Sequence, residues 1–177
     1  MKITHSTMKL FIHSCLILLL FTRSVPPKPC LCQKNEENVF SFQATKSKKT
    51  LSVCAEKSRQ YLVYRYGLPQ KIELVFPQKL DQSSWGKFVY QGYSRGGGPA
   101  NAAMSTQSLT FTNQNAEYEL YEDSGYEDEK EESFSQTAGV IIRVNGKKID
   151  LKADLSTVSG SLERLSQYEQ IENQFGQ

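Results

Sequence analysis

A chain of 177 residues with 38% hydrophobic and 23% charged side chains is long and apolar enough to close one core, which excludes a charged, disordered polymer. Its 21 basic and 19 acidic side chains leave a formal charge of +2, so the molecule as a whole lacks the basic surface of a nucleic-acid binder. Four cysteines and two histidines are the scarce chemical groups, and their positions narrow the chemistry further.

Residues 1–24 read as a secretory signal. Lys2 and Lys9 give the basic start, residues 11–21 form an apolar run broken by His13 and Ser14, and Thr22 and Ser24 are small enough to flank a cleavage site. Met8 offers an alternative start. The run is shorter than the roughly 20 residues of a membrane span. The mature chain is therefore expected to be secreted or periplasmic, with no membrane span. Pro26, Pro27, Lys28 and Pro29 ahead of Cys30 lack the small apolar residues of a lipidation signal.

Removal of residues 1–24 takes both His5 and His13 with it. Ser-His-Asp and Cys-His catalysis and any histidine-ligated metal are then excluded. Cys15 leaves as well, so Cys30, Cys32 and Cys54 remain. An odd count in an exported chain means a free thiol or an intermolecular bridge. Cys30 and Cys32 are too close in sequence to bridge each other without strain. One of them bonding to Cys54 is one reading; Cys54 as a small buried hydrophobe is the other. Three cysteines are too few for a Cys-x-Cys metal site, and no metal or cofactor is expected.

Residues 25–38 are Pro-rich and then polar, and read as a linker or arm. Residues 39–43 form a first strand, with Phe40 and Phe42 on one face. Lys46, Ser47, Lys48 and Lys49 turn the chain; without interleaved aromatics this basic run is a solvated tip. Three strand-like runs follow. Leu51 and Val53, then Leu62, Tyr64 and Tyr66, then Ile72, Leu74 and Phe76 recur at a period of two, with a break at Gly67, Leu68, Pro69 and Gln70. Residues 77–86 form a loop with the only tryptophan, Trp85. Phe88, Tyr90 and Tyr93 lie on a further strand, with Gly92 as a bulge. Arg95, Gly96, Gly97, Gly98 and Pro99 lack phosphate-loop spacing and read as a turning loop.

Residues 109–113 and 117–121 form one hairpin. Residues 139–144 and 147–152 form another around Asn145-Gly146, the favoured pair for a type I′ turn. Beyond Ser161, Leu162, Leu165, Tyr168, Ile171 and Phe175 recur every three or four residues, which predicts an amphipathic helix capped by Ser159 or Ser161, either covering a sheet face or lying outside it; a disordered polar tail is the other reading. The expected architecture is all-β: an antiparallel β-sandwich or curved sheet of about eight strands over residues 39–155, with a C-terminal amphipathic helix in residues 156–177.

An acidic segment interrupts the strand pattern. Residues 117–132 hold nine acids and one lysine, while the mature chain has 18 bases and 19 acids; the segment is thus −8 and the remainder +7. Residues 122–136 read as a loop. Calcium is disfavoured because EF-hand spacing is absent. A glycosidase needs one positioned carboxylate on each side of a bond, which nine acids on one loop do not suggest. A solvated connection is one reading. A docking surface for a basic protein is the other, with Glu122, Asp123, Ser124, Tyr126, Glu127, Asp128 and Glu129 as the binding residues.

Leu51-Ser52-Val53-Cys54-Ala55, Tyr61-Leu62-Val63-Tyr64-Arg65-Tyr66-Gly67 and Ile72-Glu73-Leu74-Val75-Phe76-Pro77, then Gly96-Gly97-Gly98, Gly139-Val140 and Asn145-Gly146-Lys147, resemble a group of uncharacterised secreted all-β proteins of Gram-negative-type bacteria. The resemblance covers residues 39–152 and implies a compartment and a fold without an activity. Its members carry cysteines where this chain has Phe42 and Ala153, a departure that removes one bridge. Ser124-Gly125-Tyr126 is similar, more weakly, to the Ser-Gly and nearby Tyr that periplasmic lysozyme inhibitors push into the enzyme cleft, although the spacing departs from theirs. These readings lead to a non-enzymatic binding domain, with lysozyme as the leading basic partner. An envelope-structural protein and a carboxylate-dependent hydrolase are the alternatives.

Overall fold

The computed structural model describes residues 28–98, 101–126 and 133–173; the signal-like segment 1–24 lies outside them. Two sheets face each other as an all-β sandwich. The smaller holds β1 (Glu36–Gln43), β2 (Thr50–Glu56), β3 (Leu62–Leu68), β4 (Lys71–Phe76) and β10 (Ser159–Gly160), in the order β10-β1-β2-β3-β4. The larger holds β5 (Val89–Arg95), β6 (Met104–Asn113), β7 (Ala116–Tyr126), β8 (Phe134–Val144), β9 (Lys147–Lys152) and β11 (Glu172–Asn173), in the order β11-β5-β6-β7-β8-β9. All pairings are antiparallel except β11 with β5.

The period-two residues meet between the sheets. Tyr64 and Phe76 from the smaller sheet pack on Phe111 of the larger, with Phe76 and Phe111 stacked at 4.5 Å. Phe111 in turn stacks on Tyr118 of β7 at 4.7 Å. The Asn145-Gly146 turn joins β8 to β9 with both residues at positive φ, as a type I′ turn requires.

The structure revises four expectations. The segment from Lys28 is a strap packed on the outer face of the smaller sheet, not a linker. Leu31 is buried and its N–H bonds Ser52 Oγ at 2.9 Å, while Ser41 Oγ donates to Pro29 O at 3.0 Å. Cys32 bonds to Cys54, leaving Cys30 free and exposed. Thr50, Ser52 and Cys54 are therefore buried on a face that a sandwich usually leaves to water.

Second, the C-terminal segment is not an α-helix. It forms a 3₁₀ turn, Leu162–Gln167, with Ser161 Oγ accepting from Glu163 N–H at 3.1 Å. Leu162, Leu165, Tyr168 and Ile171 are all buried in the main core. Their spacing of three matches the 3₁₀ repeat and keeps them on one side without an α-helix. Phe175 lies outside the described residues. The turn packs across the side of the sandwich, where Tyr168 meets Trp85 at 5.0 Å. Gly160 leads into it at φ 79°; a Cβ there would sit 2.0 Å from Val39 O, so only glycine fits beside β1.

Third, Gly92 is not a bulge. β5 and β6 pair without a register shift through Gly92–Gln107. A Cβ on Gly92 would lie 2.3 Å from Tyr90 OH and 2.5 Å from Gln107 Oε1, so the glycine makes room for that pair. Fourth, the acidic loop is much shorter than residues 122–136. β7 continues through Tyr126 and β8 begins at Phe134, with Glu122–Ala138, Ser124–Gln136 and Tyr126–Phe134 in register.

Candidate functional site: a polar groove at the open end of the larger sheet

The inner face of the larger sheet changes character along its strands. Tyr90, Leu109, Leu120 and Val140 form one cross-strand row and are buried in the core. Two residues further along lie Gly92, Gln107, Glu122 and Ala138. The next row on that face is Ser94, Ser105, Ser124 and Gln136, and beyond it Tyr126 pairs with Phe134. Period-two alternation thus carries one face from core to a polar surface that the smaller sheet does not cover.

Two open depressions occupy this surface. One, of about 280 Å³, is lined by Tyr90, Gly92, Ser94, Gln107, Glu163 and Ser166 among others. The second, of about 310 Å³, is bordered by Ser94, Arg95, Ser105, Ser124, Tyr126 and Phe134, and shares Ser94 and Glu163 with the first. Together they form a groove. Its floor is preorganised: Tyr90 OH donates to Gln107 Oε1, and Gln107 Nε2 donates to Ser94 Oγ at 3.0 Å and Ser105 Oγ at 2.8 Å. Gln107 is buried, and this network holds the serine hydroxyls in place. At the far end Tyr126 and Phe134 meet edge-to-face at 5.3 Å, and Phe134 is 59% exposed. Tyr126 N–H donates to Ala103 O at 3.0 Å, which pins the end of β7.

The groove lining carries one acid, Glu163, and one base, Arg95, and a second acid, Glu122, stands behind it. Glu122 accepts from Leu162 N–H at 2.7 Å and Ser161 Oγ at 2.9 Å, so it anchors the 3₁₀ turn that carries Glu163. Burial pushes its carboxyl up in spite of these bonds, and the neighbouring Glu163 and Asp123 charges push the same way. Burial also raises Tyr90 to about 12, with Glu163 and Glu122 adding to it.

The expected binding residues separate. Ser124 and Tyr126 stand on β7 and line the groove. Glu122 is turned inward as an anchor and is not a free docking acid; a carboxylate on the inner face of a strand takes the nearest donors. Asp123 lies on the opposite face of β7, where burial raises it against a hydrogen bond from Thr106. Glu117 and Glu119 flank Arg143 at 3.8 and 2.7 Å, which offsets part of the segment's charge. Glu127, Asp128 and Glu129 lie outside the described residues, in the connection from Tyr126 to Phe134.

Sequence reasoning missed Ser94, Ser105, Gln107 and Glu163. One signal was present: Leu109, Gln107 and Ser105, like Leu120, Glu122 and Ser124, keep the period of two while turning from apolar to polar. Cys30, Cys32 and Cys54 hold their sulfurs within 4.8 Å of one another, but two are bonded together, so they offer no thiolate metal set. Among the described residues no helix is long and apolar enough to cross a membrane. No protein-family model, no curated protein and no solved structure matches this chain.

Proposed function

We propose that this protein is an exported, non-enzymatic binding domain that takes a basic segment of a partner protein into the groove between Glu163 and Tyr126. One observation carries this reading: Ser124, Tyr126 and exposed Phe134 share a depression with Glu163, at the point where the chain enters the acidic connection of residues 127–133. Aromatic groups supply contact area and the serines supply donors and acceptors. Glu163 favours Lys or Arg at its end of the depression, away from Arg95, and acids of the connection speed encounter over about a Debye length of 8 Å. The Cys32–Cys54 bridge supports export, because such bonds persist in oxidising compartments. Engagement of Glu122 by Ser161 and Leu162 supports a binding role over hydrolysis, since that carboxylate is already occupied.

A C-type lysozyme serves as the basic probe, in the native protein and two variants. Native protein is expected to bind it at low salt and to weaken as salt rises. Tyr126→Ala is expected to speed dissociation about tenfold with little change in association. Replacing Glu127, Asp128, Glu129 and Glu131 by Gln or Asn is expected to slow association and flatten its salt dependence. Absence of binding and of lysozyme inhibition at micromolar protein in low salt overturns the lysozyme assignment. Turnover of a glycan or ester lost in Glu163→Gln overturns the non-enzymatic reading.

A further inference from the structure

We propose that Cys30, Cys32 and Cys54 form a thiol–disulfide exchange site, with Cys30 as its nucleophile. Cys30 is exposed and unpaired, and its sulfur lies within 4.8 Å of both sulfurs of the Cys32–Cys54 bridge. Cys32 N–H donates to Cys30 Sγ at 3.2 Å and holds that sulfur beside the bond it would attack. An exposed thiol on the strap has therefore been placed beside a disulfide that runs from the strap to the buried Cys54 of β2.

The reaction conserves electrons. The Cys30 thiolate attacks Cys54 Sγ, the Cys30–Cys54 bond forms and the Cys32–Cys54 bond breaks. The electron pair leaves on Cys32 Sγ, which takes up the proton Cys30 lost. Attack on Cys32 instead would join residues two apart and expel Cys54 Sγ as a thiolate in a fully buried position. Cys32 is half-buried and the better leaving sulfur. The two isomers close loops of nearly equal length, so chain entropy hardly separates them. Leu31, buried and bonded to Ser52, lies between the two exchanging residues and serves as the pivot. The external substrate class is a disulfide: Cys30 attacks R–S–S–R, forming Cys30–S–R and releasing R–SH, without any further oxidant.

The test uses the full exported chain, oxidised and free of added thiol. Pulse alkylation with iodoacetamide at about pH 8, followed by peptide mapping, is expected to label Cys30 and Cys32 but not Cys54, with Cys32 carrying about a tenth or more of the label. The Cys32→Ser variant, refolded in a glutathione buffer, is expected to form the Cys30–Cys54 bridge and to melt as a folded protein. Label on Cys30 alone in the native protein overturns the exchange. So does a folded Cys32→Ser variant in which Cys30 and Cys54 stay unbridged while the Cys30→Ser control forms its Cys32–Cys54 bond.

Discussion

Glu36 and Glu122 are both carboxylates held by hydrogen bonds away from open solvent, one in each sheet, and their surroundings differ in one respect. Glu36 meets a cation: Arg65 bonds it through both terminal nitrogens at 2.6 and 2.8 Å, and Tyr61 OH adds a bond at 2.9 Å. Burial works against its charge, but Arg65, the Gln33 N–H and Tyr61 outweigh it and hold the carboxyl below the usual range. Burial drives Glu122 upward; it has only neutral donors, and two neighbouring carboxylates, Glu163 and Asp123, push the same way. The first is closed under the strap; the second lies at the margin of an open groove. A buried acid paired with a cation stays ionised and locks its surroundings, whereas one held only by neutral donors is shifted toward its protonated form.

Breaking the compensated pair should have the largest effect. Arg65→Met leaves Glu36 buried without its cation and is expected to cost about 3–5 kcal/mol, read as a fall in the urea midpoint. The double variant Arg65→Met/Glu36→Gln should recover part of that loss; no recovery would mean that Arg65 acts through packing alone. Next, Gly92→Ala would place a methyl against Tyr90 OH and Gln107. It is expected to cost about 1–3 kcal/mol and to weaken lysozyme binding, since it disturbs the groove floor. Ser161→Ala removes the cap of the 3₁₀ turn and one bond to Glu122. It should cost about 1 kcal/mol in thermal unfolding.

The smallest effect sharpens the comparison most. The Glu36 contribution is complete above its unfolded value, near 4.5, and is lost as pH falls through its lowered folded value. Glu122 acts in the opposite sense. Its folded value is raised, so its contribution is present below about 4.5 and is lost as pH rises through that raised value. Urea midpoints of Glu122→Gln across this range should therefore fall less with rising pH than those of the native protein. An unchanged profile would remove Glu122 from the electrostatic account of the groove.

Much of the sandwich was legible because a period of two on strands is local. Phe40, Leu51, Val53, Leu62 and Tyr64 each declare their face without reference to distant chain, and all are buried. The second hairpin was legible because Asn145-Gly146 specifies its own turn. The strap was not: Cys30, Leu31, Cys32 and Glu36 read as linker because their partners, Ser52, Cys54 and Arg65, lie on strands formed later in the chain. The groove was only half legible. Ser124 and Tyr126 were singled out for the wrong surroundings, a free acidic loop, where the structure places a strand.

The amino-acid sequence by itself determined the all-β class and the hairpin turns, and it grouped Leu162, Leu165, Tyr168 and Ile171 as one apolar set whose burial the tertiary structure then decided. Each follows from backbone sterics and short-range periodicity. Tertiary structure alone decided that Cys32 rather than Cys30 takes Cys54, that Glu36 finds Arg65, and that Glu122 anchors the turn bearing Glu163. The physical reason is the same in each case. A thiol or a carboxylate can be satisfied by several partners, and only long-range packing of the two sheets selects which donor or sulfur comes within bonding distance.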